Sequence, residues 1–280
     1  MIQKQLFRSK PRLFSYSFFL ILFSLFPIFV SAGEKISIVY IANEGVLISS
    51  GDDQVLIDAI HKPYKAIYLH TNPATIKAMH AKQVPFHSLD FILVSHVHRD
   101  HLHAGSVANI LQTNPETLFF SSPQAVDSLM IFAQKDSSLR KQLKRSGYET
   151  GVWSAQTSKN IQIRMSRIGH GTPDRFGWIQ NMAHLISLRK KKILHVGDPT
   201  NGEADFRRLH LEQEVIDVAI LPYWLLIDKN GRSVIEQWIK PRKIIAVHIP
   251  LDQEKELKRL IAEFYPNAIV FIKPGEIVTL

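Results

Sequence analysis

Residues 91–101 read Phe91-Ile92-Leu93-Val94-Ser95-His96-Val97-His98-Arg99-Asp100-His101. The opening apolar run is the pattern of a short strand buried on both faces. Three imidazoles and a carboxylate follow it within six residues. In an extended segment, residues i and i+2 project the same way, so His96 and His98 can grip one ion. The chain then turns, and Asp100 and His101 can face a second ion beside the first. Four such groups at a buried strand end repel and desolvate one another unless a cation lies among them. The alternative, a solvated His-rich loop, fits poorly with a cluster that directly follows a buried strand.

The flanking pattern places this segment in an alternating chain. Three β-type runs, Ile36–Ile41, Gly45–Ser49 and Gln54–Ile57, precede it as an antiparallel meander. A polar stretch from His61 to Ser88 reads as a loop with a short helix over Ala74–Lys82. After the segment, Gly105–Gln112 and Gln124–Phe132 are helix-like, with Leu118–Ser121 a strand between them. Ile161–Ile168 alternates as a strand, and Ala183–Leu188 with Lys192–Val196 reads as a hairpin turning at Arg189-Lys190-Lys191. Ile216–Leu221 and Ile244–His248 are further buried strands. Val234–Ile239 and Glu254–Phe264 are helical, the latter with Leu257, Leu260, Ile261 and Phe264 on one stripe. Early antiparallel strands followed by αβ units predict an α/β (α+β) chain of two sheets between helices.

Ser95-His-Val-His-Arg-Asp-His101 resembles the HxHxDH motif of the metallo-β-lactamase superfamily. Other signposts of that family follow in order. Leu56-Ile57-Asp58 resembles the strand-ending Asp that buttresses the metal loop. Ile168-Gly169-His170 resembles the third histidine of the first metal. Leu194-His195-Val196-Gly197-Asp198 resembles the Gly-Asp whose carboxylate bridges two metals, and Ala246-Val247-His248 the C-terminal histidine of the second. The resemblance spans about residues 36 to 273 and implies the four-layer αββα sandwich.

Carried over by position, it implies that His96, His98 and His170 hold one divalent ion and that Asp100, His101 and His248 hold another. Asp198 would bridge them. Three imidazoles and a shared carboxylate leave room for a water at a tetrahedral ion. Two ions about 3.5–4 Å apart can share that water as hydroxide, the implied nucleophile, with Asp100 as the catalytic group that orients it or takes its proton. Zinc is the expected metal, and manganese or iron would suit the same donors. Asp58 and His195 are expected behind the ligands, and His103 at the start of the next helix. His184 is read as buried, with strand alternation leaving open that it points at the site. His61 and Trp224 are candidate substrate contacts. His70, His80, His87 and His210 read as surface or loop residues.

The first 32 residues differ from the rest. Lys4, Arg8, Lys10 and Arg12 precede an apolar run from Leu13 to Val30, and Val30-Ser31-Ala32 ends it with small residues. This is the layout of a secretory signal peptide over 1–32, with a hydrolase domain over 33–280. An uncleaved membrane anchor is the competing reading, since about 18 apolar residues can just span a bilayer. Either reading implies an exported catalytic part, periplasmic or extracellular. The absence of cysteine excludes disulfides and thiolate ligands, which confines any metal to His, Asp and Glu. The net charge is +9; removing the leader leaves 30 basic against 25 acidic residues, or +5. That mild excess suits an anionic small-molecule or lipid-like substrate and argues against a nucleic-acid partner.

Within the superfamily, the spacing is similar to the branch of ascorbate-6-phosphate lactonase and N-acyl-phosphatidylethanolamine phospholipase D. True zinc β-lactamases resemble the chain less, because they lack the bridging Asp and several types need a cysteine ligand. The tRNA 3′-processing nucleases share the motif but act in the cytoplasm, which the leader argues against. A thioesterase of the glyoxalase II type shares the whole ligand set and stays open, as does a metal-bearing binding protein without turnover. Substrate choice is expected from loops 61–88 and 171–180 and from Tyr223-Trp224, through Tyr64, Lys65, Arg175, Phe176, Trp178 and Trp224. The resemblance thus implies hydrolysis of a phosphodiester, lactone or other ester.

Overall fold

A computed structural model describes residues 35–280 other than Lys135. The leader at 1–32 lies outside the described residues. Among them, no helix is long and apolar enough to cross a membrane.

The apolar runs become strands with both faces covered. The first sheet takes β1 Ser37–Ala42, β2 Gly45–Ser50, β3 Asp53–Ile57, β4 Leu89–Val94, β5 Leu118–Ser121 and β6 Leu143–Arg145. The second takes β7 Ser154–Ser158, β8 Ile161–Arg167, β9 Met182–Leu188, β10 Lys191–His195, β11 Val218–Pro222, β12 Lys243–Val247 and β13 Ile269–Val270. The last strand, β14 Ile277–Thr279, returns to the first sheet and pairs with β1. Strand order is β14-β1-β2-β3-β4-β5-β6 in one sheet and β13-β12-β11-β10-β9-β8-β7 in the other.

Alternation along each strand sorts side chains between two environments. Val55, Ile57, Phe91 and Leu93 point between the sheets, where they meet Ile163, Ile186, Ile193 and Val218. Leu56, Ile92 and Val94 point outward against α1 Pro73–His80, α2 Ala104–Thr113, α3 Pro123–Ala133 and α4 Ser137–Gln142. After the short α5 Pro173–Phe176, the helices α6 Glu203–Leu209, α7 Tyr223–Ile227, α8 Lys229–Val234 and α9 Glu254–Phe264 cover the second sheet. This is the four-layer αββα arrangement expected from the sequence.

The strand directions place the chemistry. The strands β3, β4, β8, β10, β11 and β12 all run towards one end, and each releases its chain there into a loop. The expected hairpin exists, with a two-residue turn at Arg189 (φ 47°) and Lys190 (φ 64°). Positive φ at both residues is the twist-matched hairpin geometry, usually signalled by Asn or Gly. The helix expected at Val234–Ile239 starts earlier, at Lys229, and continues past Val234 as a π-helical turn over Ile235–Ile239.

Candidate metal centre

Each candidate ligand leaves a strand end, and the structure brings seven of them together. His96, His98, His170 and Asp198 offer nitrogen and oxygen atoms that all lie within 4.8 Å of one another. Asp100, His101 and His248 form a second such group. The two oxygens of Asp198 divide between the groups. Oδ2 is 3.7 Å from His96 Nε2 and 3.7 Å from His170 Nε2. Oδ1 is 3.5 Å from His101 Nε2 and 3.6 Å from His248 Nε2. Asp100 Oδ2 faces the same two imidazoles, at 3.9 Å and 3.7 Å.

These separations are too long for hydrogen bonds and suit atoms that share a cation. The burial pattern agrees. His101 Nε2, His170 Nε2, His248 Nε2 and Asp198 Oδ1 are all buried without a hydrogen-bond partner. Orphaned polar atoms of this kind are costly unless something else satisfies them. The donor set of imidazoles and carboxylates fits one or two divalent ions of the zinc type.

For His96, His101 and His170, hydrogen bonds on the far side of the ring select the nitrogen that is offered. His96 Nδ1 lies 2.9 Å from Ser95 Oγ, and His170 Nδ1 donates to Gly171 O at 2.6 Å, leaving Nε2 forward in both. His101 Nδ1 donates to Asp58 Oδ2 at 2.9 Å. Asp58 also accepts from Ser95 N at 2.7 Å and Ser95 Oγ at 2.5 Å. Orientation of a ligand imidazole by a carboxylate behind it is the usual way a protein holds its tautomer.

The same contacts set the protonation of the side chains by themselves. Burial, followed by the neighbouring imidazoles, pushes His96 well below the usual histidine range. His98 is lowered by burial and then by His170, to about 4. Burial lowers His248 as well. These rings stay neutral at physiological pH, the form that binds metal. Burial opposes the charge on His101, but Asp198 and the Asp58 hydrogen bond override it and hold its pKa well above the ordinary value. Burial likewise opposes ionisation of Asp100, and the charge of His101 overrides it downward.

The other expectations divide. Asp58 and His195 lie fully buried behind the grouped imidazoles. His195 Nε2 is 3.2 Å from the Glu44 carbonyl oxygen, and its Nδ1 accepts from Gly197 N at 3.3 Å. His103 caps α2, with Nδ1 accepting from Ser106 N at 3.1 Å. His184 is buried beside His195, ring centroids 5.8 Å apart, and joins neither ligand group.

His61 corrects the sequence reading. It was a candidate substrate contact, but it is fully buried and does not line the cavity. The bridge between Ile60 and Leu102, with His103 N donating to Ile60 O, tucks this segment beneath the metal loop. Burial, with His101 adding to it, lowers His61 to about 4.

Trp224 does line the cavity, anchored by its Nε1 donating to Pro199 O at 3.2 Å. The cavity, about 710 Å³, opens over Asp100, His170, Asp198 and His248. Tyr64, Lys65 and Tyr68 form one wall, and Arg175, Phe176 and Trp178 another. The wall expected from 61–88 is confined to that short stretch, because α1 and the segment up to Phe86 pack on the outer helix layer, away from the grouped imidazoles.

Sequence reasoning missed three positioning residues. Asn43 Nδ2 donates to the Asp100 carbonyl at 3.2 Å. Asn181 joins the Asp198 loop from below, Nδ2 to Val196 O at 3.1 Å and Oδ1 from Asp198 N at 3.3 Å. Glu44 is fully buried, 3.8 Å from His195 Nε2 and 4.0 Å from His101 Nδ1. Burial and the charge of Asp198 raise its pKa well above the carboxylate range.

Gly197 has no room for a side chain. Its φ is +60°, and a Cβ would fall on Asn181 Oδ1 and within 2.5 Å of the Ser95 Cβ. Gly197→Ala is therefore expected to cost about 1–3 kcal/mol of stability and to displace Asp198. Thermal melting and metal content of the variant check this; a wild-type melt with full metal content contradicts it.

Residues 37–248 match the family described as the beta-lactamase superfamily domain. A UPF0173 metal-dependent hydrolase from Pyrococcus horikoshii is 27% identical over 240 residues, covering 81% of this chain and 92% of the relative. Among solved structures, the metallo-beta-lactamase fold protein YhfI from Bacillus subtilis superposes with a TM-score of 0.60 at 16% identity. That superposition covers 88% of this chain and 100% of YhfI. A structure described as a possible metal-dependent hydrolase from Veillonella parvula gives a TM-score of 0.64, at 16% identity, over 87% of this chain and 99% of the other. At these identities the solved structures speak for the fold alone.

Proposed function

Because the chain belongs to the beta-lactamase superfamily, we propose that this metal-dependent hydrolase works with two zinc-type ions on an ester bond. The division of the Asp198 oxygens between two ligand groups carries the reading. His96, His98 and His170 would hold one ion and Asp100, His101 and His248 the other, with Asp198 common to both. When bound, two such ions acidify a shared water and offset the charge that develops on the attacked oxygen.

The chain's own residues do the rest. Asp58 holds the His101 ring with Nε2 forward. Asp100 lines the cavity, where it would take a proton from the attacking water. Tyr64, Phe176 and Trp178 give the cavity an apolar wall, and Lys65 and Arg175 give it positive charge. An anionic substrate with an apolar portion, a phosphodiester or a lactone, suits that lining. The basic, apolar leader supports export, to the periplasm or the cell exterior.

Elemental analysis of metal-replete protein should find close to two transition-metal ions per chain. Fewer than half an ion would sink the reading. A panel of phosphodiester, lactone, thioester and β-lactam substrates then separates the ester reading from the others. A fold-intact Asp100→Ala protein should lose the activity found.

A further inference from the structure

The end of the sandwich remote from the metals has a charge pattern of its own. The strands β10, β11 and β12 are parallel, so their first residues share one rim. This aligns the turn Arg189-Lys190-Lys191-Lys192 with the segment Lys240-Pro241-Arg242-Lys243. Three acidic groups pair with members of this set of seven, Asp53 with Arg189 among them. Asp217 binds Lys191 and Arg242, and Glu214 pairs with Lys192. Lys190, Lys240 and Lys243 are exposed and make no ion pair among the described residues.

Apolar features accompany the charge. Val215, between Glu214 and the first residues of β11, is 56% exposed. A cavity of about 540 Å³ opens beside Lys240, Arg242 and Lys243, floored by Ile235, Ile244 and Phe264.

The chain enters the domain at this same end. The strand β1 runs towards the metals, so Lys35 and Ser37 lie at the opposite end, and Ser37 pairs with Ser49. The turn after β2 is tied to the basic hairpin by Arg189 and Asp53, 3.2 Å apart. The residues preceding Lys35 include the apolar run 13–30 and four cations, with no acid before Glu34.

We propose that this basic rim docks on an anionic phospholipid bilayer, with the metal cleft facing away from it. Clustered Lys and Arg are attracted to anionic headgroups over roughly a Debye length. An exposed apolar residue among them can enter the headgroup layer. The strands hold the cleft about 20 Å from the rim, so substrate reaches it from the aqueous side. The proposal rests on the charge and the chain entry, independently of the metals.

The test is sedimentation of the full chain with vesicles of phosphatidylcholine alone and of phosphatidylcholine with phosphatidylglycerol. The leader contributes to both, so the readout is the preference for anionic vesicles in K190E/K240E/K243E against the wild type. The variant should lose about tenfold or more of that preference, and high salt should remove the difference. A melting curve unchanged from the wild type confirms that it folds. An undiminished preference in the folded variant overturns the proposal. A variant that loses binding to a DNA duplex while keeping its vesicle preference overturns it too, and assigns the rim to nucleic acid.

Discussion

Replacing Asp198 by alanine is expected to remove most bound metal and lower turnover by about three orders of magnitude, the scale seen when one charge-stabilising group is lost. The reason is geometric. One oxygen of this carboxylate faces His96 and His170, and the other faces His101 and His248. No second acid lies among the first group, which then has imidazoles alone. The second group keeps Asp100, so it should hold metal longer. Asp198→Asn separates charge from shape, because it keeps one acceptor and loses the other. Elemental analysis with turnover on the best substrate is the measurement. Two ions per chain and turnover within tenfold of wild type would show that Asp198 bridges nothing.

Asp58→Ala should have the largest effect on stability, about 3–5 kcal/mol. Its carboxylate is fully buried and accepts from Ser95 N, Ser95 Oγ and His101 Nδ1. Alanine leaves those donors facing nothing. Asp58→Asn fills the same space and should instead weaken metal binding by about 10–100-fold, first at the group containing His101. Thermal melting reads the one and metal titration the other. The pH dependence comes from the same contact. Burial opposes the Asp58 charge, but the hydrogen bond and charge of His101 hold its pKa below the ordinary carboxylate value. The sign is that of a depressed acid. Its stabilisation is present above about pH 4 and disappears as the pH falls through the lowered folded value. Acid unfolding that is unchanged in Asp58→Asn would contradict this.

The site was legible where chemistry is dense in sequence. Four of the seven grouped side chains lie in His96–His101, and the other three each follow a strand announced by alternation or by an apolar run. The strands β4, β10 and β12 were readable because β4 throughout, and the last three residues of β10 and β12, are buried. By contrast, β7 is a polar edge strand, Ser-Ala-Gln-Thr-Ser, with nothing periodic to find. The helix α7 is a single apolar turn after Pro222, too short to show a period.

Glu44 was hidden for a different reason. Asn43-Glu44 between two strands reads as a solvated turn, and composition says nothing about the burial that β1, β2 and the metal loop impose together. His61 failed in the opposite sense. A polar residue just past a strand end looks available to substrate, and the bridge from Ile60 to Leu102 removes it from the cavity. Both positions turn on depth, which local sequence does not encode.

The spread of the grouped side chains from His96 to His248 has a kinetic consequence. Asp198 and His248 leave the second sheet, and His96 to His101 leave the first. Full denticity therefore requires both sheets to be formed and facing each other. A chain still being synthesised can offer an ion only the His96–His101 fragment until the second sheet has formed. Tight loading of metal would then belong to the final docking of the two sheets, and bound metal would act as a latch that slows their separation.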